Sequence, residues 1–434
     1  MKNISDIKKG HDHNPLLFPK GFVWGTATSA HQVEGGNTNN DWCSWEQVKG
    51  HIANGDVSGS STNHYELFDK DFDLAKKFGS NAHRLSIEWA RLEPEEGKWD
   101  ENEIEHYRKV FKALKKRRIK IMLTLNHFTL PMWVALKGGW TNKKNVARYQ
   151  RFVERVIREY GNDIEWWITI NEPVVYVTMS YIMGAWPPGK KSFLKAFKSF
   201  INLIRAHRSA YKTIHRVIGK NAKVGLANNI ISLMSYGTDS WIDYAYVRII
   251  DYIWNHAVYV FTKGYHDFLG VNYYFHQRIE RKKGAWSNIL VDVRHEKRER
   301  SDMGWEIYPH GIFEAVGHLK RYNLPIYITE NGIAALNDDK RLRFIVGHLK
   351  ELYHAIQSGI DIRGYFYWSL LDNFEWDKGF YPRFGIIGVD YATMKRAPRK
   401  SAYMFAEIAK RNGIEHKHLT YLGHKVGSHT EHVG

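Results

Sequence analysis

Short apolar runs alternate with longer segments of helical periodicity along most of this chain. The first run spans residues 22–30 (FVWGTATSA) and ends in His31-Gln32-Val33-Glu34 before a glycine pair. Residues 37–64 are rich in Asn, Ser and Gly and read as a long loop with one short helix near residues 42–48. In residues 65–78, Leu67, Phe68, Phe72, Leu74, Ala75 and Phe78 recur mostly three and four apart, which predicts an amphipathic helix closed by Gly79. The alternation then repeats. Strands are predicted at 82–90, 120–128, 165–173, 223–230, 267–274, 325–332 and 364–373. Helices are predicted at 104–114, 146–160, 194–218, 242–262, 312–322, 341–358 and 401–410. A charged, irregular stretch at 275–303 reads as an excursion or hairpin on the rim.

Apolar strands separated by amphipathic helices predict a parallel sheet covered by helices. Eight such units with no break in composition fit the α/β class as a single (β/α)8 TIM barrel. The expected organisation is a polar lead-in at 1–17, a barrel at 18–413 and a polar tail at 414–434. The tail carries His416, His418, His424, His429 and His432 at irregular spacing and reads as a disordered terminus, so no metal and no cofactor is assigned.

In such barrels the reacting groups sit at the C-terminal ends of the strands. The residues there include Gln32, Glu88, His127, Asn171 with Glu172, Asn229, Asn272 with Tyr274, Glu330 with Asn331, and Trp368 and Asp372, with Glu375 and Trp376 just beyond. Two of these ends share one design. Thr169-Ile170-Asn171-Glu172-Pro173 and Ile328-Thr329-Glu330-Asn331-Gly332 each place a glutamate after an apolar run and before a chain breaker. Paired carboxylates are what glycosidic bond cleavage requires. Amides and carboxylates suit hydroxyl groups, and indoles suit the C–H face of a sugar. Neither a glycine-rich phosphate loop nor an H-E-x-x-H zinc motif occurs.

Composition changes this picture little. The 434 residues are 43% hydrophobic and 25% charged, an ordinary globular balance, so a large core is available. The net charge of +17 raises the question of nucleic acid or an anionic membrane, but no recognition motif accompanies it. The basic cluster Lys115-Lys116-Arg117-Arg118 suits the negative pole of a helix end. The single cysteine, Cys43, allows no disulfide within the chain. No secretory pattern occurs in residues 1–14 and no run of about 18 apolar residues occurs anywhere. A cytoplasmic protein with no nucleic-acid or membrane partner is expected. Nothing in the pattern bears on the oligomeric state.

The landmarks above resemble glycoside hydrolase family 1, the β-glucosidase and β-galactosidase family. They run in order from Phe18-Pro19-Lys20-Gly21-Phe22, through Trp24-Gly25 and Ser29 to Gly35, Asn126-His127-Phe128, Thr169 to Pro173, residues 267–274 and Ile328 to Gly332, to residues 368–376. The resemblance implies a retaining exo-β-glycosidase acting on terminal β-D-glucosyl residues, with β-galactosyl and β-fucosyl also accepted, through a covalent glycosyl-enzyme. It implies Glu172 as general acid/base and Glu330 as nucleophile, supported by Arg84 and Tyr274. It places Gln32, His127, Asn171, Asn272, Tyr274, Trp368, Glu375 and Trp376 around the sugar, with small β-glycosides as partners. The alternative is a carbohydrate-binding barrel with little catalysis. Glu375 stands where members acting on 6-phosphorylated sugars tend to carry serine, so unphosphorylated substrates are expected. Phe128 stands where many bacterial members have tryptophan, and the segment between Asp251 and Asp267 is short for the family.

Overall fold

Eight parallel strands close into a barrel in the computed structural model, which describes residues 14–235, 241–280, 291–292 and 298–423. The strands are β1 (Val23–Ala27), β2 (Ala82–Ser86), β3 (Lys120–Thr124), β4 (Trp166–Asn171), β5 (Val224–Asn229), β6 (Leu269–Asn272), β7 (Ile326–Asn331) and β8 (Ile362–Trp368). Each pairs with its neighbours in sequence, and β8 closes the ring on β1. The outer helices are α1 (His64–Lys77), α2 (Glu101–Lys116), α3 (Lys144–Tyr160), α4 (Phe193–Ile218), α5 (Trp241–Asp251), α6 (His310–Leu319), α7 (Asp338–Gln357) and α8 (Lys400–Arg411).

The helices form where the pattern places them, for local reasons. In α2, Asp100 caps the N-terminus by accepting from the amides of Asn102 and Glu103. Ile104, Tyr107, Val110, Phe111 and Leu114 recur on its buried face, and Lys115 and Lys116 sit at the negative end. Several predicted strands are longer than the observed ones. The apolar runs after β1, β2 and β4 continue as short helices, Ala30–Val33, Trp89–Leu92 and Pro173–Val177. A buried apolar run does not by itself distinguish strand from helical turn.

Alternation along the strands divides the core. Met122, Trp166, Ile168 and Phe366 fill the barrel interior, while Leu123, Trp167 and Tyr365 belong to the shell beneath the helices. Gly25 of β1 leaves room for this filling, since a Cβ there would lie 2.4 Å from the Phe366 ring. The stretch at 275–303 contributes a rim sheet. His276–Glu280 pairs antiparallel with Val291–Asp292 and parallel with Ser232–Ser235.

The chain ends depart from the expected loose termini. Leu16–Leu17 pairs antiparallel with Gly413–Ile414, which ties the end of the lead-in to the start of the tail. Beyond it, Glu415 caps the short helix His416–Leu419, and His418 is buried with its Nε2 3.1 Å from the Glu407 carboxylate. Apolar burial and this cap order a segment whose polarity alone suggested disorder. His424, His429 and His432 lie outside the described residues. No described helix is long and apolar enough to cross a membrane.

A buried ion pair fastens the hairpin after β8 (strands Ile387–Asp390 and Lys395–Pro398) to α1. Arg396 donates twice to the fully buried Asp71, at 2.8 Å each, and His64 shares the same carboxylate. Burial pushes the Asp71 carboxyl up, but the bonds from Arg396 and His64 outweigh it and hold it below its ordinary value. Arg396→Ala would leave that carboxylate without its main partner. Guanidinium denaturation at pH 7 is expected to show a loss of about 3–5 kcal/mol, and a loss under about 1 kcal/mol would contradict the assignment.

Candidate active site

The strands that carry the two glutamates both break register just before delivering them. Pairing of β4 with β5 shifts between Ile168 and Asn171, and pairing of β7 with β6 shifts between Ile328 and Glu330. Strict alternation would send Asn171 and Glu330 to the face opposite Ile168 and Tyr327. The extra residue in each strand reverses the phase, so both turn into the barrel mouth. Glu172 follows in the left-handed region, φ 43°, and Pro173 then opens a helix at its first position.

Arg84 of β2 lies beneath this mouth, 1% exposed. Its Nη1 donates to Glu330 Oε1 and, at 3.2 Å, to the Thr329 carbonyl. Its Nη2 donates to Asn171 Oδ1 at 2.7 Å and its Nε to Thr124 Oγ1 at 3.1 Å. The Tyr274 hydroxyl donates to the other Glu330 oxygen at 2.5 Å. Burial and then the Glu330 charge hold the Tyr274 phenol far above its ordinary value, so it remains a proton donor.

Glu172 is surrounded differently. Its Oε1 accepts from Asn272 Nδ2 at 2.8 Å and Asn229 Nδ2 at 3.3 Å, and no cation among the described residues bonds it. Burial first, and then the Glu330 charge, push its carboxyl up to about 8, while the two amides partly counteract the rise. One glutamate of the pocket is therefore held by a guanidinium and a phenol, and the other keeps its proton at neutral pH.

The amide network fixes further orientations. A guanidinium only donates, so Asn171 must turn its oxygen to Arg84, and its NH2 then faces His127 Nε2 at 3.2 Å. His127 Nε2 is thereby the acceptor, and the ring proton lies on Nδ1, which has no partner among the described residues. Burial, then Arg84, pull the His127 ring far below its ordinary value, so it is neutral. Its ring lies nearly parallel to Trp368 and Trp376, with centroids 5.9 and 6.0 Å away. Gln32 Nε2 donates to Glu375 Oε2 at 3.2 Å, and burial followed by Glu330 pushes the Glu375 carboxyl up to about 8.

These groups share one cavity of about 320 Å³. Gln32, His127, Asn171, Glu172, Tyr274, Glu330, Trp368, Glu375 and Trp376 all line it. Asn272 and Arg84 stand behind that wall and act through Glu172, Asn171 and Glu330. The chain also matches known proteins along nearly its whole length. The profile described as Glycosyl hydrolase family 1 covers residues 15–241 and 248–414. The chain belongs to glycosyl hydrolase family 1.

Beta-glucosidase A of Thermotoga maritima is 31% identical over 93% of this chain and 100% of its own length. The beta-glycosidase from Pyrococcus horikoshii superposes with a TM-score of 0.88 at 39% identity, covering 95% of this chain and 99% of that one. The beta-galactosidase of Pyrococcus woesei is 29% identical over 92% of this chain and 98% of its own length. A family 1 chain with this site is a glycoside hydrolase.

Asn331, Asp372 and Glu88 serve the framework instead of the cavity. Asn331 Nδ2 donates to the Tyr273 carbonyl at 2.6 Å. Asp372 accepts from Arg399 Nη2 at 2.7 Å and from the Gly385 amide at 2.9 Å. Glu88 accepts from the Thr129 hydroxyl at 2.9 Å. Other lining residues had no strand-end signal because loops and helices deliver them: Val175, Met179, Trp186, Trp254, Phe275, Met303 and Trp305. Phe128, at φ 72°, packs against Trp186 at 4.9 Å and Trp376 at 5.2 Å. The Trp186 indole donates to Asp377, so it does not replace the donor that a tryptophan at 128 would supply.

The two influences on Glu172 are separable. Glu330→Gln removes a neighbouring negative charge, so the Glu172 pKa is expected to fall by on the order of one pH unit. Asn272→Ala removes a donor that favours the carboxylate, so the pKa is expected to rise. Carbon-13 NMR of labelled glutamate resolves both. Shifts of the same sign in the two variants would contradict this account of the site.

Proposed function

We propose that this enzyme is a retaining exo-β-glycosidase, acting on terminal β-D-glucosyl residues and also on β-galactosyl and β-fucosyl residues of unphosphorylated glycosides. The observation that carries the reading is the unequal setting of Glu172 and Glu330 within one cavity. Glu172, pushed up to about 8, holds the proton that the leaving oxygen needs. Glu330, held by Arg84 and Tyr274, attacks the anomeric carbon as the carboxylate. Glycosyl–oxygen cleavage gives the glycosyl-enzyme ester, and the aglycone leaves with the Glu172 proton. Glu172, now a carboxylate, takes a proton from water, whose oxygen attacks the same carbon and releases Glu330. Both carboxyls return to their starting states.

The pocket supports the substrate class. Asn171 has one amide hydrogen beyond the one given to His127, and it suits the 2-hydroxyl, a contact that strengthens as the transition state forms. The Nδ1 proton of His127 and the carboxyl of Glu375 suit further hydroxyls, and Trp368 covers a sugar face. Glu375, pushed up to about 8, keeps its proton at pH 7, so charge repulsion is a weak reason to reject a 6-phosphate. A stronger reason is that the lysine lining this cavity, Lys378, is already paired with Asp377 at 2.7 Å. The outer wall of Val175, Met179, Trp254, Phe275, Met303 and Trp305 suits an aryl or other apolar aglycone.

Glu330→Ala is expected to abolish hydrolysis of nitrophenyl β-glucoside, with azide restoring turnover and giving the α-glycosyl azide. Retained activity without azide would sink the nucleophile assignment. Glu172→Gln is expected to lower kcat/KM for poor leaving groups by about 10²–10⁴ while largely sparing kcat/KM for dinitrophenyl glycosides, whose departure needs no proton. Proton NMR of the first-formed sugar distinguishes the stereochemistry, with the β-anomer expected and the α-anomer contradicting retention.

A further inference from the structure

On the outer face of the barrel, the helix leading into β6 changes register. After α5 the chain makes a π turn, Tyr252–His256, and the Ala257 amide bonds the Tyr252 carbonyl five residues back. In an α-helix, residues five apart point about 140° apart, so Asp251 and His256 would face different ways. The wider turn brings them onto one side. His256 Nε2 lies 3.7 Å from Asp251 Oδ2, and His318 Nδ1 of α6 lies 3.8 Å from Asp251 Oδ1. Their ligating atoms all fall within 4.8 Å of one another, and no other such group of three occurs among the described residues.

The decisive detail is His256 Nε2. The residue is 2% exposed, and this nitrogen has no hydrogen-bond partner among the described residues. The opposite nitrogen, Nδ1, is engaged by the Tyr322 hydroxyl at 3.0 Å. If Nδ1 carries the proton, the Nε2 lone pair points at a carboxylate. If Nε2 carries it, the N–H stops short of Asp251. A cation between the two removes either conflict. The surroundings also resemble the outer supports of a metal site, with Tyr322 orienting the imidazole and Asn255 Nδ2 donating to Asp251 Oδ1 at 2.8 Å.

We propose that Asp251, His256 and His318 bind a divalent transition ion of the zinc class, which pins α5 and its π turn to α6. Two imidazoles and one carboxylate are borderline donors that suit zinc, with a water in the fourth position. Bonds of about 2.0–2.2 Å in a tetrahedron set donor atoms about 3.3 Å apart, so small side-chain rotations close the present triangle. Arg321 and Arg248 lie close enough to His256 to act on it electrostatically. The two arginines also oppose an added cation, and the Asp251 carboxylate offsets part of that. Trp254 lies in the same turn, two residues from His256 and so on roughly the opposite face, where it lines the sugar cavity. The ion would steady that wall from behind without touching substrate.

The test is metal binding by the full chain after dialysis against EDTA, titrated with zinc and, for its absorption spectrum, with cobalt. The histidines of the tail are the same in every protein compared, so the measured quantity is the difference between proteins. The unaltered chain is expected to hold one equivalent more than His318→Gln, whose partly exposed side chain is safe for folding, and one more than Asp251→Asn. Zinc is also expected to slow hydrogen exchange across residues 241–261 and 310–322 at least tenfold in the unaltered chain and not in the variants. Equal stoichiometry in all three proteins, or no ion bound by any, overturns the proposal.

Discussion

A guanidinium buried at the base of the barrel mouth constrains everything above it. Arg84 cannot lose its charge, so its 1% exposure demands an anion and a full set of acceptors. Glu330 supplies the anion, and Thr124, Asn171 and the Thr329 carbonyl supply the rest. Those partners sit on three other strands. The pairing therefore fixes which way the Asn171 amide turns, then which nitrogen of His127 carries its proton. One permanent charge orients an entire layer of neutral groups.

The same constraint separates the settings of the two glutamates. Arg84 and Tyr274 each donate to one oxygen of Glu330. Glu172 receives amide donors alone, and burial beside that anion keeps its proton in place. The backbone contributes as much as the side chains, because both carboxylate strands need a register shift to present these residues together. A straight β4 and β7 would bury the wrong faces and break the network around Arg84.

Much of this was legible in the sequence because the barrel converts a one-dimensional pattern into position. Eight apolar runs separated by 3.6-periodic segments specify the strands and helices, and the strand-end rule then collects Gln32, His127, Asn171, Glu172 and Glu330 without any distance being known. What escaped notice depends on deviations from period. A bulge between Ile168 and Asn171 leaves no mark on an apolar run, and the turns after β1, β2 and β4 read as more strand. Trp186, Trp254 and Trp305 reach the cavity from segments whose path is set by packing. Asp251 and His256 are invisible as a pair to helical periodicity, since only the π turn aligns them.

The cavity's charge follows from the same accounting. Glu172, Glu330 and Glu375 share a small buried volume whose single buried guanidinium, Arg84, is bound to Glu330. Two of the three carboxyls are therefore pushed up to about 8, and the set is close to neutral at pH 7. The chain's +17 charge does not reach inward, because Lys378 at the cavity edge is paired with Asp377. A neutral, hydroxyl-rich ligand can then enter without bringing or displacing charge. On the proposed mechanism, its binding leaves the proton on Glu172 until the glycosidic oxygen, as it develops negative charge, becomes the better base.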